Sequence, residues 1–278
     1  MNDVTKSSKE LSQFGSKIAH LYARRVLTAQ NAYISRAQSV QHTACMCGRF
    51  TLRTSLNLLL QQFVAEVQSD LQLPLRYNIA PTQDILAIRS TIECKREAVM
   101  LRWGLVPSWS KDVKTGPPQV NARAESLADK PTFCTAYRQR RCLIRADGFY
   151  EWQKQPGGKV KQPFYIHRPD NEPFAIAGLW ERWERGPTIE SCTIITTDAN
   201  KSLCGRHDRM PVILAPDDYG LWLDHTVDDP AALGHLRAPC REDELLAEPV
   251  STHVNRVAND DPQCIQSLAH ENGERSLF

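Results

Sequence analysis

The chain has 278 residues, of which 41% are hydrophobic and 24% are charged. This length fits one large domain with tails, because a single core can grow to roughly 250 residues. No apolar stretch approaches the roughly 20 residues that span a bilayer, so we expect a soluble protein without a membrane partner. Nine cysteines without a regular disulfide framework or a secretory signal predict reduced thiols in the cytoplasm.

The formal charge of +2 is unevenly distributed. Residues 1–45 carry six Lys or Arg against Asp3 and Glu10, which gives +4, and the remainder carries 28 basic and 30 acidic residues, which gives −2. There is therefore no global basic field of the kind that drives non-specific binding to duplex DNA. Any contact with nucleic acid must come from a local patch.

Residues 1–45 form an N-terminal extension with apolar residues at loosely helical spacing. A disordered or cleaved tail, a start codon mis-assigned upstream of Met46, and a basic targeting presequence are the alternatives. The main domain is predicted at 46–258. Residues 259–278 are predicted to be a polar C-terminal tail.

From Gly48 the pattern changes to short apolar or alternating runs. A strand at 48–53 is followed by a helix that Thr54 can cap, and 74–81 reads as a loop. Further strands are predicted at 84–89, 98–103, 141–146, 149–153, 163–167, 174–180, 191–197 and 212–214. Short helices are expected around 132–139, 217–223 and 230–236. So few helices favour an α+β fold with a curved, mostly antiparallel sheet over parallel βαβ winding.

Cys47 is the first candidate for chemistry, although an arbitrary reduced cysteine is usually a small buried apolar residue. Removal of Met46 from a chain that starts there would leave Cys47 with a free α-amine and a thiol. The pKa of such an amine lies near ~8 and that of the thiol near ~8.5 in an unperturbed peptide. This 1,2-aminothiol can trap an aldehyde as an imine and then close to a thiazolidine.

Glu151 and His207 are candidates for proton transfer. Strand alternation places Glu151 on the face of Phe149, where a pocket would raise the pKa of its carboxyl; an exposed strand glutamate is the simpler alternative. His207 precedes a strand in a polar loop, and its imidazole can protonate a sugar oxygen or activate water. A purely structural histidine is the alternative.

Asn121 and Arg123 alternate along a strand-like stretch, so their side chains point to one side. With Arg49 and Arg209 they provide amide and guanidinium donors for a phosphate or sugar, although a lone arginine is more often a solvated charge. Trp109 can present an indole face to unpaired bases, whereas Trp103 is expected in the core. Without a second Cys or His pair, we expect no metal and no cofactor.

Six motifs in this order resemble those of the SRAP (SOS-response-associated peptidase) family. They are MCGRF (46–50), YNIAPT (77–82), WGLVP (103–107), NARAE (121–125), GFYEW (148–152) and HDRMP (207–211). The resemblance covers about residues 46–225, continues more thinly to Val257 and implies a β-rich fold. It does not extend to the first 45 residues.

The resemblance implies that the protein binds single-stranded DNA and captures abasic sites covalently in the DNA damage response, with thiol-dependent autoproteolysis and a possible lyase activity. Cys47 would be the nucleophile, Glu151 and His207 the acid-base pair, and Asn121 would orient the sugar. The residues expected to contact DNA are Arg49, Arg123, Arg209, Pro81 and Trp109. A monomer is expected in the cytoplasm, associated with the nucleoid if the source is bacterial.

Two departures accompany the resemblance. Cys47 is internal in this chain, and a thiol without its α-amine cannot close a thiazolidine, so Met46 must be the start or the extension must be cleaved. Arg145 stands where the family is expected to have proline. A thiol peptidase that acts on other proteins and a plain single-strand binder are the alternative functions.

Overall fold

The computed structural model describes residues 48–268 apart from 64, 68–70, 114–115 and 159. The N-terminal extension and Cys47 itself lie outside the described residues. The first residue of the site that is described is therefore Gly48, the immediate neighbour of Cys47.

The described residues form fourteen strands, three α-helices and five short 3-10 helices. The strands are β1 (Phe50–Leu52), β2 (Glu66–Val67), β3 (Arg76–Ile79), β4 (Asp84–Ser90), β5 (Arg96–Trp103), β6 (Asn121–Arg123), β7 (Arg141–Ala146), β8 (Gly148–Lys154), β9 (Lys161–His167), β10 (Phe174–Trp183), β11 (Ile189–Asp198), β12 (Arg209–Pro211), β13 (Ile213–Leu214) and β14 (Leu246–Pro249). The helices are α1 (Leu56–Phe63), α2 (Cys134–Gln139) and α3 (Tyr219–Leu223). The 3-10 helices are Ala124–Ser126, Pro216–Asp218, His235–Arg237, Thr252–Asn255 and Pro262–Ile265.

Five strands close into a barrel that contains most of the core. Antiparallel pairs join β5 to β4, β4 to β7, β7 to β10 and β10 to β11, and a short parallel pair of β11 with β5 closes the ring. Short apolar runs build this barrel, and β4, β7, β10 and β11 are buried over most of their length, so both faces of these strands are covered. The predicted α+β fold with a mostly antiparallel, barrel-like core and few short helices is confirmed.

A second sheet of five strands has the order β14-β9-β8-β1-β3. One face contributes Phe50 and Phe149 to the main core. The opposite face holds a smaller cluster that includes Tyr150 and Tyr165. One face of β8 therefore packs against the main core and the other against the smaller aromatic cluster, so the second sheet lies between the two.

Two predicted elements differ from the structure. The predicted loop at 74–81 contains β3, which pairs with β1 through Phe50↔Ile79 and Leu52↔Arg76; its polar side chains, untypical of a strand, bind a distant segment of the chain. The predicted helix at 230–236 is a series of turns that ends in the 3-10 helix His235–Arg237, because so short a segment does not repay helix nucleation.

Residues 259–268, assigned above to a polar tail, pack against the second sheet. We name residues 250–265 the C-terminal segment. Its Val254 and Cys264 are fully buried in the smaller cluster, and Ser267 forms an antiparallel bridge with Val250. The polar side chains that made these residues resemble a tail bind other parts of the protein: Asp260 accepts from the amides of Tyr77 and Asn78, and Asn259 donates to His253 O. Among the described residues, no helix is long and apolar enough to cross a membrane.

Arg145, the residue found where proline was expected, lies inside β7. Its side chain is 1% exposed, donates to Gln62 Oε1 at 3.0 Å and lies 4.0 Å from the centre of the Phe63 ring. Burial lowers the pKa of Arg145 to about 10. Arginine is compatible with this position because the aromatic face and the amide of α1 receive the guanidinium.

Candidate functional site

The strand pairing places Glu151 beside the start of the described chain. β1 pairs with β8 through Phe50↔Phe149 and Thr51↔Gly148, and the amide of Tyr150 donates to Arg49 O at 3.0 Å. This hydrogen bond extends the pairing by one residue beyond β1, to Arg49 and Tyr150. Glu151 therefore follows directly on the residue of β8 that meets the chain two positions after Cys47.

Glu151 is buried, with 3% of its surface exposed. Phe149 belongs to the main core, whereas Tyr150 and Trp152 belong to the smaller cluster. The alternative of an exposed strand glutamate is therefore wrong for this chain, and Glu151 lies on the face predicted from alternation. A carboxyl group in such surroundings is suited to gaining and losing a proton during a reaction.

His207 lies in the loop that joins β11 to β12. Its Nδ1 is 2.8 Å from Asp208 Oδ1 and 3.1 Å from the amide nitrogen of Arg209. Nδ1 can accept from the amide of Arg209 or, when it carries a proton, donate to Asp208, but it cannot do both at once; in the second state Nε2 is the unprotonated nitrogen of the neutral ring. Burial lowers the pKa of His207, partly offset by the nearby charge of Asp208.

Contacts hold the His207 loop along β8 and β9. Gln153 donates from Nε2 to Gly205 O at 2.8 Å, and the guanidinium of Arg206 lies 4.7 Å from the centre of the Phe164 ring. Phe164 is the residue on β9 that pairs with Glu151. The two predicted acid-base residues thus belong to elements that touch each other, although they are 56 positions apart in the sequence.

Asn121 and Arg123 lie on β6, which runs parallel to β11. Asn121 pairs with Ile194 and Arg123 with Thr196. Asn121 is half-buried, while the side chain of Arg123 is exposed. Since β12 pairs with the same end of β11 from its other side, Arg123 and Arg209 lie on strands that flank β11.

Arg209 is an ion-paired anchor with 7% of its surface exposed. Its guanidinium binds both carboxylate oxygens of Glu125 at 2.7 and 2.8 Å, Asp198 Oδ1 at 2.6 Å and Thr196 O at 2.7 Å. Burial opposes its charge, but the two carboxylates outweigh that effect and raise the pKa of Arg209. The same ion pair lowers the pKa of Glu125.

The remaining predicted residues lie apart from this cluster or point inward. Arg49 is half-buried and directed toward the C-terminal segment. Pro81 is half-buried in the turn after β3, and Trp109 is 57% exposed in the loop between β5 and β6. Trp103 is fully buried, as predicted, and donates from Nε1 to Val120 O at 3.0 Å.

One group of potential metal ligands occurs within the described residues, at His253, Asp261 and Cys264, with donor atoms within 4.8 Å of one another. His253 Nε2 lies 3.0 Å from Asp261 Oδ2, and its Nδ1 lies 3.1 Å from Asn259 Nδ2. The Cys264 thiol donates to Asn259 O at 3.3 Å. Each donor atom already has a protein partner, so the group is explained as a hydrogen-bond cluster.

Comparison with known proteins decides the family. The family model described as SOS response associated peptidase (SRAP) matches residues 46–257. The chain belongs to the SRAP family. The match over residues 46–257 contains every residue predicted above to act in catalysis or to contact DNA.

The chain is similar to proteins named abasic site processing proteins. It is 41% identical over 225 residues to YoqW of Bacillus subtilis, which covers 80% of this chain and 100% of YoqW. It is 31% identical over 229 residues to YedK of Escherichia coli, which covers 80% of this chain and 100% of YedK. The fold is similar to that of a crystal structure of a Bacteroides thetaiotaomicron protein, with a TM-score of 0.68 and 24% identity over 80% of this chain and 99% of that one.

The structure adds residues to which the sequence assigned no role. Asn78, in the YNIAPT motif, is fully buried and binds both Arg49 and the C-terminal segment. Trp152 donates from Nε1 to Asn255 Oδ1 at 2.7 Å. The motif itself marked Asn78, but nothing in the polar C-terminal sequence predicted its partner.

Proposed function

We propose that this SRAP protein processes abasic sites in single-stranded DNA by forming a covalent link through Cys47. The observation that carries the proposal is the pairing of β1 with β8, which brings the start of β1, close to Cys47 in the sequence, to the strand that carries the buried Glu151. Family membership and the names of the relatives supply the substrate class.

The proposed reaction starts from the ring-opened sugar, which carries an aldehyde at C1′. The α-amine of Cys47 attacks this carbon, and the resulting carbinolamine loses one water to form an imine. The thiolate then attacks the imine carbon, and the nitrogen takes up the proton that the thiol lost. One aldehyde and one 1,2-aminothiol thus give one thiazolidine and one water.

Glu151 and His207 are proposed to move the protons in this sequence. Loss of water from the carbinolamine requires protonation of its hydroxyl, and ring opening requires proton transfer at the sugar oxygen. Burial lowers the pKa of His207 and so favours its neutral form, which can accept a proton at Nε2 when Nδ1 donates to Asp208. Asn121 on β6 is proposed to orient the sugar.

DNA binding is proposed to depend most on exposed groups. Arg123 is exposed, and within the described ranges it forms no ion pair, so its guanidinium remains available to a phosphate. Trp109 offers an exposed indole for stacking on an unpaired base. Pro81, in the turn after β3, is proposed to contact the DNA as well. Arg209 contributes through its anchoring of β12 more than through free charge.

The chemistry requires Cys47 to be the amino-terminal residue. We propose that this state arises either by initiation at Met46 or by thiol-dependent hydrolysis of the Met46–Cys47 bond, which consumes one water and releases the amine. The peptidase description of the family supports the second route. Variants of the full chain with Cys47→Ala should then retain the extension.

The test uses the chain expressed from Met46, since residues from Met46 onward form a unit of their own. Incubation with single-stranded DNA that carries one abasic site should give a band of reduced mobility on a denaturing gel. Cys47→Ala and a variant with one glycine inserted before Cys47 should give none. In the glycine-insertion variant the α-nitrogen of Cys47 lies in a peptide bond, so an adduct that forms equally well with this variant would refute the thiazolidine. Cleavage of unrelated proteins without any adduct would support the peptidase alternative.

A further inference from the structure

Asn78 is a buried amide with every side-chain group in use. Its surface is 0% exposed. Oδ1 accepts from Arg49 Nη1 at 2.9 Å, and Nδ2 donates to the carbonyls of Val254, Arg256 and Asn259 at 3.1, 2.9 and 2.7 Å. One side chain therefore joins β3, the residue before β1 and the C-terminal segment.

Arg49 is directed into the protein by this amide and by two further carbonyls. Nη1 also donates to Val254 O at 2.7 Å, Nη2 donates to Asn255 O at 3.2 Å, and the guanidinium lies 5.6 Å from the centre of the Trp152 ring. Burial lowers the pKa of Arg49. Within the described part of the chain no carboxylate forms an ion pair with it, so neutral acceptors fix its orientation.

The surface that receives Arg49 is itself held at several points. Asp260 Oδ1 accepts from the amide of Asn78 at 2.8 Å and also from that of Tyr77, and its other oxygen pairs with Arg76. The hydroxyl of Tyr150 donates to Tyr77 O at 2.7 Å. The C-terminal segment is thus bound to β3 and to β8, and the side chain of Arg49 lies between β3 and this segment.

We propose that Asn78 is a positioning residue for the nucleophile: through Arg49 and the C-terminal segment, it fixes the backbone that carries Cys47. This inference rests on the proposed function. Arg49 is two residues after Cys47 in the sequence, so only Gly48 separates the anchored residue from the proposed nucleophile. Fixing Arg49 is therefore proposed to restrict the positions available to the amine and thiol of Cys47.

This positioning role can be distinguished by experiment from phosphate binding, which was the role first expected for Arg49. A phosphate contact contributes to the affinity for DNA. A positioning contact contributes to the rate once DNA is bound, and a misplacement of about 1 Å can cost on the order of 100-fold. The three inward hydrogen bonds of Arg49 favour the second effect.

The experiment measures two quantities for the chain from Met46 and its variants Asn78→Ala and Arg49→Lys. The first is the single-turnover crosslinking rate at saturating abasic single-stranded DNA. The second is the Kd for the same DNA in a Cys47→Ala background, where no adduct forms. Arg241→Lys is the matched control, because Arg241 is exposed and pairs only locally with Asp243.

Arg49→Lys keeps the charge but not the planar fork, so it should lower the saturating rate roughly 10- to 100-fold while the Kd changes less than about 2-fold. Asn78→Ala should do the same; if it does not fold, Arg49→Lys decides alone. Reaction with a small free aldehyde, which needs no positioning, should keep its rate. A weakened Kd with an unchanged saturating rate would overturn the proposal. Absence of any adduct with the unmodified chain would instead refute the proposed function.

Discussion

Replacing Arg209 by methionine should destabilise the domain, because the guanidinium is an internal anchor. It makes charged hydrogen bonds to Glu125 and Asp198 and one to the carbonyl of Thr196. Breaking a buried ion pair costs about 3–5 kcal/mol. Here the side chains of Glu125 and Asp198 are 53% and 81% exposed, so both carboxylates regain water, and we expect about 2–3 kcal/mol.

For a domain of this size each kcal/mol lowers the melting temperature by about 2–4 °C, so Arg209→Met should lower it by roughly 4–12 °C. Arg123→Met is the control, since an exposed arginine away from such contacts should change stability by no more than about 0.5 kcal/mol. Calorimetry of both variants gives the comparison. Equal melting temperatures would refute the anchoring role.

The difference in stability between the unmodified protein and Arg209→Met should depend on pH because Arg209 lowers the folded-state pKa of Glu125. Such a group stabilises the folded state above the unfolded pKa of about 4.3, and that contribution is lost as pH falls through the lower folded value. The gap between the unmodified protein and Arg209→Met should therefore narrow in acid. A gap that widens below pH 4 would contradict the assignment.

Three further predictions follow from single sites. Glu151→Gln should slow adduct formation at least about 100-fold, as expected for loss of acid-base catalysis, in a time course on denaturing gels; an unchanged rate would exclude Glu151 from proton transfer. Burial lowers the pKa of His207 in the folded state, so the unfolded state binds more protons as pH falls below about 6.5, and the free energy of unfolding should decrease there. His207→Gln should remove this contribution to the pH dependence of the free energy of unfolding, measured by denaturant titration at several pH values; an unchanged pH dependence would contradict it. Gly148→Ala should destabilise by about 1–3 kcal/mol or more, since its Cβ would lie 2.4–2.5 Å from the Tyr165 ring and hydroxyl, whereas Gly205→Ala, with nothing within 4 Å, should be tolerated; equal effects on the melting temperature would contradict this.

The sequence predicted the strands that are short apolar runs. Runs such as 141–146 and 174–180 became β7 and β10, which are buried over most of their length, because a short apolar run bounded by turn residues is recognisable without knowledge of its partner. The face of Glu151 was predicted from strand alternation. The burial of Glu151 was not, since alternation does not show whether a face is covered.

The contacts that fix Arg49 were beyond sequence reasoning. Arg49 and Val254 are 205 residues apart, and Asn78 and Asn259 are 181 apart. The C-terminal segment has 3-10 turns and polar side chains that satisfy backbone groups, and this pattern has no periodicity distinct from that of a tail. β3 was missed for the same reason, because the partners of its polar side chains lie in that segment.

The central claim is covalent capture through an amino-terminal Cys47. The direct test is the intact mass of the chain made from Met46, before and after incubation with single-stranded DNA that carries one abasic site. We predict a mass increase equal to the oligonucleotide minus one water, absent in Cys47→Ala. No increase, with a free amine on Cys47 confirmed in the same sample, would contradict the account.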